Sequence, residues 1–268
     1  MSSFMDLKKS IPNLSLFGTF LSLLILGSSM LLRLSTVFDM DGLAQNSLPA
    51  NLEWATRLLH RLCASCVALI ALVSVIQSWF DRLDQPWRFK PSLWIFSLTL
   101  VLALIGPLTP GYRLASITVI NVSCGIALVL AFWFLHLIQT RHSAAHACMD
   151  GAAQLTCGVY FLHIATGAGA SAFERHGVHW PVFVHLASLL LFSIVTGLTI
   201  LKQHEMRTLS SPTQAWAGLL IIQIVMGYAL MGENPRPLAL SLIHGMLSPL
   251  VALAMVCALL TTPAPNRI

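Results

Sequence analysis

Three histidines and one asparagine recur at nearly constant intervals along the chain. His60, His185 and His244 each lie in an apolar segment and are followed by small residues, and Asn121 occupies the same place in a fourth segment. The successive intervals are 61, 64 and 59 residues. Self-similarity at a fixed period indicates a repeated structural unit. The spacing therefore predicts four two-helix units, each with one polar side chain near the same end of its second helix.

Histidines inside apolar helices are costly, so they usually face the interior of a helix bundle and serve a function. Two neutral imidazoles on facing helices are a common way to hold heme iron. His185 and His244 fit this arrangement because they occupy equivalent places in the repeat. Small residues near them would leave room for a flat macrocycle: Ala187, Ser188, Gly245 and Ser248. The alternative is that each histidine, as expected for His163, only hydrogen-bonds to a neighbouring helix.

His60 differs from this pair because its repeat partner, Asn121, carries an amide, which is a poor iron ligand. A heme held by His60 would keep one coordination position open for oxygen or substrate. The first half could also use another ligand or bind no heme. Arg57 and Arg61 would lie where heme propionates need cations, although arginines also reach towards a membrane interface from such positions. Glu53, about two helical turns before His60, is a candidate for proton transfer at an open heme face.

The composition places these residues in a membrane protein. The 268-residue chain is 56% hydrophobic and 9% charged, and its mean hydropathy is +0.79. Soluble domains carry about a quarter charged residues. About 20 apolar residues span the hydrocarbon layer of a membrane. Eight segments are long enough: 13–33, 56–79, 92–109, 114–138, 152–172, 181–201, 213–231 and 238–261.

The basic residues indicate the orientation of these segments. Alternate loops carry most of the lysines and arginines, and the positive-inside rule assigns those loops and both termini to the cytoplasm. The residues on that side are Lys8, Lys9, Arg82, Arg88, Lys90, Arg141, Lys202, Arg207 and Arg267. Because the net charge of +5 comes from these short loops, it does not indicate a nucleic-acid partner. The four repeated polar positions then lie together near the outer face.

The intervals also relate the two halves of the chain. His60 and His185 are 125 residues apart, and Asn121 and His244 are 123 residues apart. We therefore expect an all-α integral membrane protein with eight transmembrane helices, arranged as two internally duplicated four-helix bundles. In this interpretation the halves, about 1–145 and 146–268, form a single membrane domain.

This pattern resembles the heme A synthase family, and the resemblance covers most of the chain. It rests on the His60-Arg61 pair, on His185 and His244, and on the QIVMG stretch at Gln223–Gly227. Members of that family have eight helices in a duplicated bundle, with a ligand histidine near the outer end of each even-numbered helix. The resemblance implies that His185 and His244 ligate heme b. It also implies that His60 ligates heme O, whose methyl group is oxidised to a formyl group to give heme A for cytochrome oxidase.

The N-terminal half departs from the family pattern at three places. Asn121 replaces the histidine of the fourth helix. The family's essential glutamate lies three residues before the first histidine, where this chain has Arg57, and Glu53 lies one turn further away. The cysteine pair found in the first outer loop of many members is absent. The resemblance therefore implies either a divergent synthase or a relative that keeps only the electron-transfer heme.

We expect a membrane oxidoreductase of the heme A synthase type, with heme b as cofactor, heme O as substrate, and Glu53 and His60 as catalytic residues. The residues that would line the two heme sites are His60, Arg61, Asn121, His185 and His244. Its partners would be bilayer lipid, heme O synthase or cytochrome oxidase assembly proteins, in the inner (plasma) membrane. Two other classes stay open: a non-catalytic heme-b cytochrome or assembly factor, and a carrier built from repeats with polar residues.

Overall fold

The computed structural model describes residues 2–35, 37–38, 44–45, 48–108, 115–140, 151–174, 178–205, 210–231 and 237–261. These residues form eight α-helices: α1 (Ser2–Ser35), α2 (Ala50–Phe80), α3 (Pro86–Ile105), α4 (Ala115–Thr140), α5 (Gly151–Glu174), α6 (Trp180–Glu205), α7 (Ser211–Met231) and α8 (Leu238–Thr261). A 3₁₀ turn at Gly106–Leu108 extends α3. A two-residue antiparallel ladder pairs β1 (Val37–Phe38) with β2 (Ala44–Gln45).

Seven of the described helices are long and apolar enough to cross a membrane. Helix α5 is the exception, because Gln154, His163 and several small residues lower its hydropathy. Within the described part of the chain, the expectation of an all-helical fold with eight helices is confirmed, apart from the short β1–β2 ladder. The length and composition of seven of these helices support the predicted multi-pass membrane protein. The predicted span 13–33 agrees with the apolar part of α1, Asn13–Leu34, although the helix itself begins at Ser2. The second span begins at Ala50 rather than near residue 56.

Polar side chains in these apolar helices are satisfied close to their own backbone. On α1, Thr19 Oγ1 donates to the carbonyl of Ser15 at 3.0 Å, and Ser22 Oγ donates to the carbonyl of Gly18 at 2.8 Å. Hydroxyls that bond to the preceding turn in this way avoid the cost of an unpaired polar group in an apolar environment. Ser15 Oγ also donates to Oε1 of Gln139 at 2.9 Å, which joins α1 to α4.

The first four helices form a closed ring. Helix α1 packs against α2 and α4, and α3 packs against α2 and α4. In the second half, α5 pairs closely with α6 and α7 with α8, and a smaller contact joins α5 to α8. Helices α6 and α7 are not among the closely packed pairs of the described residues, so this half is more open between its two hairpins. Contacts of α1 with α8, α4 with α5 and α4 with α8 join the halves.

Helix α4 contributes to both hydrophobic clusters of the protein. Its residues Ile126 and Val129 pack with α5 to α8, whereas Leu128 and Phe132 pack with α1 to α3. Helices α1 and α4 approach closely, because a Cβ at Gly18 would lie 2.6 Å from the ring of Phe132. Small residues that let neighbouring helices approach are a main source of helix association in membranes. Helix α4 therefore links the two halves into one packed unit.

The basic residues that orient the chain are described only in part. Arg82, Arg88 and Lys90 lie around the α2–α3 connection, and Lys202 lies in the last turn of α6. Outside the described residues are Arg141, Arg207, Arg267 and the side chains of Lys8 and Lys9. The assignment of both termini to the cytoplasm therefore stays a prediction.

Candidate functional site

The C-terminal part of α1 lies between His60 on α2 and His244 on α8. Ser28 Oγ is 3.1 Å from Nδ1 of His60. The adjacent Gly27 faces α8, where its Cβ, if it had one, would lie 3.6 Å from Sδ of Met246, two residues after His244. His60 and His244 are therefore at a similar level of the molecule, with α1 between them.

Asn121 on α4 lies near this level as well. Two residues before it, Val119 packs against α5, 3.8 Å from where a Cβ of Gly169 would lie. Four residues after it, Leu26 of α1 covers Gly125. Asn121 itself is half-buried. The structure thus brings Asn121 to the same end of the bundle as the histidines.

Ser28 determines which nitrogen of His60 carries the proton. The Ser28 hydroxyl lies 3.0 Å from the carbonyl of Ile25 and donates its single hydrogen there. The hydroxyl can then only accept from the imidazole, so Nδ1 of His60 is protonated and Nε2 keeps its lone pair. A partner that fixes the tautomer in this way is typical of metal-ligating histidines. Nε2 of His60 is therefore suited to bind a metal.

The charged residues near His60 divide into two groups. Arg33, in the last turn of α1, and Arg61 lie within electrostatic range of the His60 ring. Arg57 Nε donates instead to Oε1 of Glu53 at 3.0 Å, and these two side chains are 48% and 36% exposed. Glu53 is thus paired with Arg57 on the outer surface of α2. The structure does not bring this carboxylate into a hydrogen bond with His60.

His185 lies against a glycine of the preceding helix. A Cβ at Gly167 would lie 2.8 Å from Cε1 of the His185 ring and 3.2 Å from its Nδ1. Nδ1 is also 3.5 Å from Oγ1 of Thr166, at the long limit of a hydrogen bond. The ring of His163, one turn earlier on α5, stacks on His185 with centroids 4.5 Å apart and 12° between the planes. Three consecutive contacts with α5 therefore hold the His185 imidazole.

Ser188 on α6 links these groups. Its Oγ is 2.7 Å from the carbonyl of His185, 2.7 Å from Oγ1 of Thr166 and 3.2 Å from Nδ1 of His163. The Thr166 hydroxyl is also 2.9 Å from the carbonyl of His163. The two hydroxyl hydrogens are used at these shorter contacts with oxygen, so both imidazole Nδ1 atoms act as donors. Nε2 of His185 therefore keeps the lone pair that an axial ligand needs.

His244 lies against α7 in the same manner. A Cβ at Gly227 would lie 3.0 Å from Cε1 of the His244 ring. Four residues before Gly227, Gln223 Nε2 donates to Oγ of Ser248 on α8 at 2.8 Å. The hydroxyl of Tyr160 on α5 donates to the carbonyl of Ser248 in a short hydrogen bond. This last contact joins the α5–α6 and α7–α8 hairpins.

The two hairpins share one arrangement, which we call the clasp. An odd-numbered helix supplies a polar side chain and, four residues later, a glycine. The next helix supplies a histidine that lies on the glycine and a serine that bonds to the polar side chain. The clasp residues are His163, Gly167, His185 and Ser188 in one hairpin and Gln223, Gly227, His244 and Ser248 in the other. In the α1–α2 hairpin, Ser28 is the residue that faces His60.

The histidines of this half lie next to a layer of aromatic residues. His163, His185 and His244 are close enough to interact electrostatically. The ring of Phe192 is nearly parallel to that of His163, with centroids 5.9 Å apart, and it also contacts Trp216 of α7 at 6.5 Å. Phe192 and Trp216 are fully buried. The polar layer therefore occupies one end of the α5–α8 bundle, and aromatic rings fill the part next to it.

Some of the small residues that were expected to make room for a macrocycle have other neighbours. Gly245 faces α1, where a Cβ would lie 2.9 Å from Sδ of Met30. Ala187 is exposed, and Ser188 and Ser248 hold the clasps together. Gly245 therefore packs against α1, and the expectation for Ala187 stays a prediction. The more open side of this half lies between α6 and α7 instead.

The donor set fits a heme. Two imidazoles come from α6 and α8, each lies on a glycine, and the tautomer of His185 leaves Nε2 as the ligand atom. Within the described ranges, no group of three or more His, Cys, Asp or Glu side chains is arranged to hold a bare metal ion. A heme requires only two axial ligands from the protein, so this does not bear on its binding.

The sequence carries a signal for the clasp. His163 was expected to hydrogen-bond to a neighbouring helix, and its contact with Ser188 confirms this. The stacking of His163 on His185 was not predicted, and neither were the contacts of His185 with Gly167 and of His244 with Gly227. A polar residue followed by glycine four positions later occurs in both odd-numbered helices of this half, at 163 and 167 and again 60 residues on, at 223 and 227. That coincidence could have identified Gly167 as the partner of His185.

No protein-family model matches the chain, and a search of curated proteins finds no significant relative. The function of the protein is therefore inferred from the geometry of the site and from the sequence pattern.

Proposed function

We propose that the chain is a heme-binding membrane oxidoreductase of the heme A synthase type. The observation that carries this proposal is the repeated clasp, which seats His185 on α6 and His244 on α8 against glycines of the neighbouring helices. The two imidazoles lie at the same end of the α5–α8 bundle and interact electrostatically. Paired imidazoles beside an apolar and aromatic layer are the environment that a bis-histidine heme b requires.

His185 and His244 would hold the iron of heme b, which supplies one-electron transfer when bound. Ser188 and Thr166 keep the proton on Nδ1 of His185 and leave Nε2 for the metal. The contacts with Gly167 and Gly227 fix the distance of each imidazole from its neighbouring helix. Phe192, fully buried beside the histidines, helps to exclude water from the inner side of the site.

His60 would bind the substrate, heme O, in the N-terminal half. Its Nε2 keeps a lone pair because Ser28 accepts from Nδ1. Arg33 and Arg61 place positive charge near this imidazole, which suits the propionates of a heme. Asn121 offers no second imidazole, so one face of the substrate would stay open. Oxidation of the heme O methyl group to a formyl group is the reaction that the family resemblance implies.

An internal duplication of two four-helix bundles is part of this proposal. If α1 to α4 correspond in order to α5 to α8, the α1–α8 contact is equivalent to the α4–α5 contact. The α4–α8 contact is then equivalent to itself. Within the halves, α1–α2 corresponds to α5–α6, α3–α4 to α7–α8, and α1–α4 to α5–α8. These correspondences support an approximate two-fold relation, although the close α2–α3 contact has no counterpart between α6 and α7 among the described residues. The halves 1–145 and 146–268 would then form one membrane domain.

A non-catalytic heme-b cytochrome or cytochrome oxidase assembly factor is the second candidate. The observation in its favour is the exposed ion pair between Glu53 and Arg57, which holds the proposed proton-transfer carboxylate away from His60. In this case the N-terminal half would bind no substrate. Either protein would lie in the inner (plasma) membrane with cytoplasmic termini, and heme O synthase or oxidase assembly proteins would be its partners.

Heme extraction from the purified protein tests the proposal. Chromatography and pyridine hemochrome spectra identify each heme and its stoichiometry. Heme b together with heme O or heme A, at about two hemes per chain, supports the synthase. Heme b alone, at about one per chain, supports the cytochrome. A protein without heme contradicts both and favours a carrier.

Single histidine variants test the ligand assignment. His185→Ala and His244→Ala should each abolish a low-spin b-type spectrum, because each removes one axial ligand. His204→Ala, in the exposed last turn of α6, is the control and should leave the spectrum unchanged. If both ligand variants keep a six-coordinate, low-spin heme, the assignment is wrong.

A further inference from the structure

His163 is a third imidazole at the C-terminal site, and neither ligand assignment uses it. It is 3% exposed, although histidine is costly to bury in an apolar helix. Its ring is nearly parallel to the rings of His185 and Phe192, at interplanar angles of 12° and 13°. A buried imidazole packed against two nearly parallel rings is held in one orientation.

The stacking excludes His163 as the second axial ligand in this geometry. Axial ligands approach iron from opposite faces of the macrocycle with their nitrogens directed at each other. His163 and His185 instead lie face to face, with centroids 4.5 Å apart, on the two helices of one hairpin. His244, from the other hairpin, lies within electrostatic range of His185 and is the second ligand in the proposed function. The contacts of His163 are therefore directed at His185 itself.

Hydrogen bonds connect His163 to the backbone and to the ring of His185. Nδ1 of His163 donates to Ser188 Oγ at 3.2 Å, and this hydroxyl contacts the carbonyl of His185 at 2.7 Å. The same hydroxyl contacts Thr166 Oγ1, which faces Nδ1 of His185. A change at His163 would therefore reach His185 through both its ring plane and its Nδ1 partner.

We propose that His163 is a positioning residue that fixes the ring plane and the electron-donating strength of His185. This inference rests on the proposed function, because it concerns His185 as a heme ligand. A hydrogen bond from Nδ1 makes an imidazole a stronger donor to iron, and such outer partners tune a metal site. Without His163, the Ser188–Thr166 pair would lose a hydrogen-bond donor, and the contact of Thr166 with Nδ1 of His185 would loosen. His185 would then donate less electron density to iron, so the ferrous state of the heme would be favoured.

The second clasp provides the conservative variant. Gln223 occupies the place of His163 in the α7–α8 hairpin and donates to Ser248 as His163 donates to Ser188. A glutamine at position 163 can therefore restore the hydrogen bond to Ser188, whereas a leucine of similar bulk cannot. The pair His163→Gln and His163→Leu separates the hydrogen bond from the filling of space.

The experiment uses the purified full-length protein in detergent or lipid. Heme content, the electron paramagnetic resonance spectrum of the oxidised low-spin heme and a redox titration are measured for wild type, His163→Leu and His163→Gln. His204→Gln, exposed at the end of α6, is the control. If His163→Leu does not yield folded protein, Ser188→Ala removes the same hydrogen bond from α6 with a smaller change in volume.

We expect His163→Leu, or Ser188→Ala, to retain heme b with a shifted low-spin resonance. At the midpoint reduction potential of the wild-type heme, the ferrous-to-ferric ratio of the variant should be about two- to tenfold higher, which is the effect of one net hydrogen bond. His163→Gln should return the ferrous-to-ferric ratio towards that of wild type, because it restores the hydrogen bond to Ser188. Its low-spin resonance should stay shifted, because glutamine has no ring to stack on His185. The inference is overturned if the leucine variant keeps the wild-type resonance and ratio. It is also overturned if the ferrous-to-ferric ratio of the glutamine variant is no closer to wild type than that of the leucine variant. The proposed function stands in both cases. A wild-type protein without heme overturns the proposed function and this inference together.

Discussion

The imidazoles of His185 and His244 lie on Gly167 and Gly227, where a Cβ would approach Cε1 to 2.8 Å and 3.0 Å. Contacts that short force the imidazole to move, because the added methyl group is fixed to the helix backbone. Other glycines of the same two helices, at 158 and 218, face open space. The position of each proposed ligand is therefore decided by one particular glycine and not by the small-residue content of the helix.

Gly167→Ala and Gly227→Ala are expected to lower heme content or convert low-spin heme to high-spin heme, measured by visible spectra. Gly158→Ala and Gly218→Ala are the matched controls. They should keep the wild-type spectrum and stabilise their helices by about 0.5–1 kcal/mol, since alanine orders more readily than glycine in a helix. Equal loss of heme in all four variants would show that the contacts of Gly167 and Gly227 with the imidazoles do not determine heme binding.

In the proposed function, Asn121 is the residue that distinguishes the N-terminal site from a bis-histidine site. Asn121→His should drive any heme in this half towards six-coordinate, low-spin iron, because it supplies the second imidazole that the repeat lacks. Resonance Raman and electron paramagnetic resonance spectra report the spin state. Asn121→Gln is the control that keeps an amide. An unchanged spin state in the histidine variant would contradict the alignment of Asn121 with His244.

Helix α1 contacts three of the four helices that carry proposed site residues. It packs against α2, α4 and α8, and its residue Ser28 holds His60 while Gly27 meets α8. Nearer the N-terminus of α1, a Cβ added at Gly18 would lie 2.6 Å from the ring of Phe132, which is fully buried. The rotation and depth of α1 therefore set the position of His60 relative to the second half.

Gly18→Ala should destabilise the protein by about 1–3 kcal/mol, the usual cost of overpacking a core, because the Phe132 ring is enclosed. Gly197→Ala, on α6 with nothing within 4 Å of its virtual Cβ, is the control and should not destabilise. Thermal unfolding in detergent, followed by circular dichroism, compares them. A Gly18→Ala protein as stable as the control would mean that α1 and α4 pack less closely than described.

The whole molecule combines a closed ring of α1 to α4 with a second half that is looser between α6 and α7. The half with two glycine-seated histidines is the looser one. That difference is consistent with a prosthetic group that completes the packing of α5 to α8. The N-terminal half has a full set of close helix contacts and a single imidazole from the repeat.

Orientation in the membrane is a property of the whole molecule and can be tested with reporter fusions. Alkaline phosphatase inserted between α3 and α4 should be active, and the same reporter between α2 and α3, near Arg82 and Arg88, should be inactive, because basic loops stay in the cytoplasm. A fluorescent protein at the C-terminus should fluoresce. The opposite activity pattern would contradict cytoplasmic termini and place the histidines at the inner face.

The sequence by itself determined the elements and the repeated polar positions. Length and composition are local properties, so the eight helical segments could be read from the sequence, although only seven of the described helices are apolar enough to span a membrane. The near-constant spacing of His60, Asn121, His185 and His244 could be read in the same way. The hydrogen bond expected of His163 was also predicted, because a polar ring inside an apolar helix needs a partner.

Only the tertiary structure decided which residues meet across helices. The seat of His185 on Gly167, the contact of Ser28 with His60 and the orientation of Gly245 towards α1 depend on how each helix is rotated about its axis. A helix that is apolar on all sides carries no stripe of hydrophobic residues to mark its inward face. The sequence therefore defined the helices and their histidines, but the neighbours of each imidazole followed from packing alone.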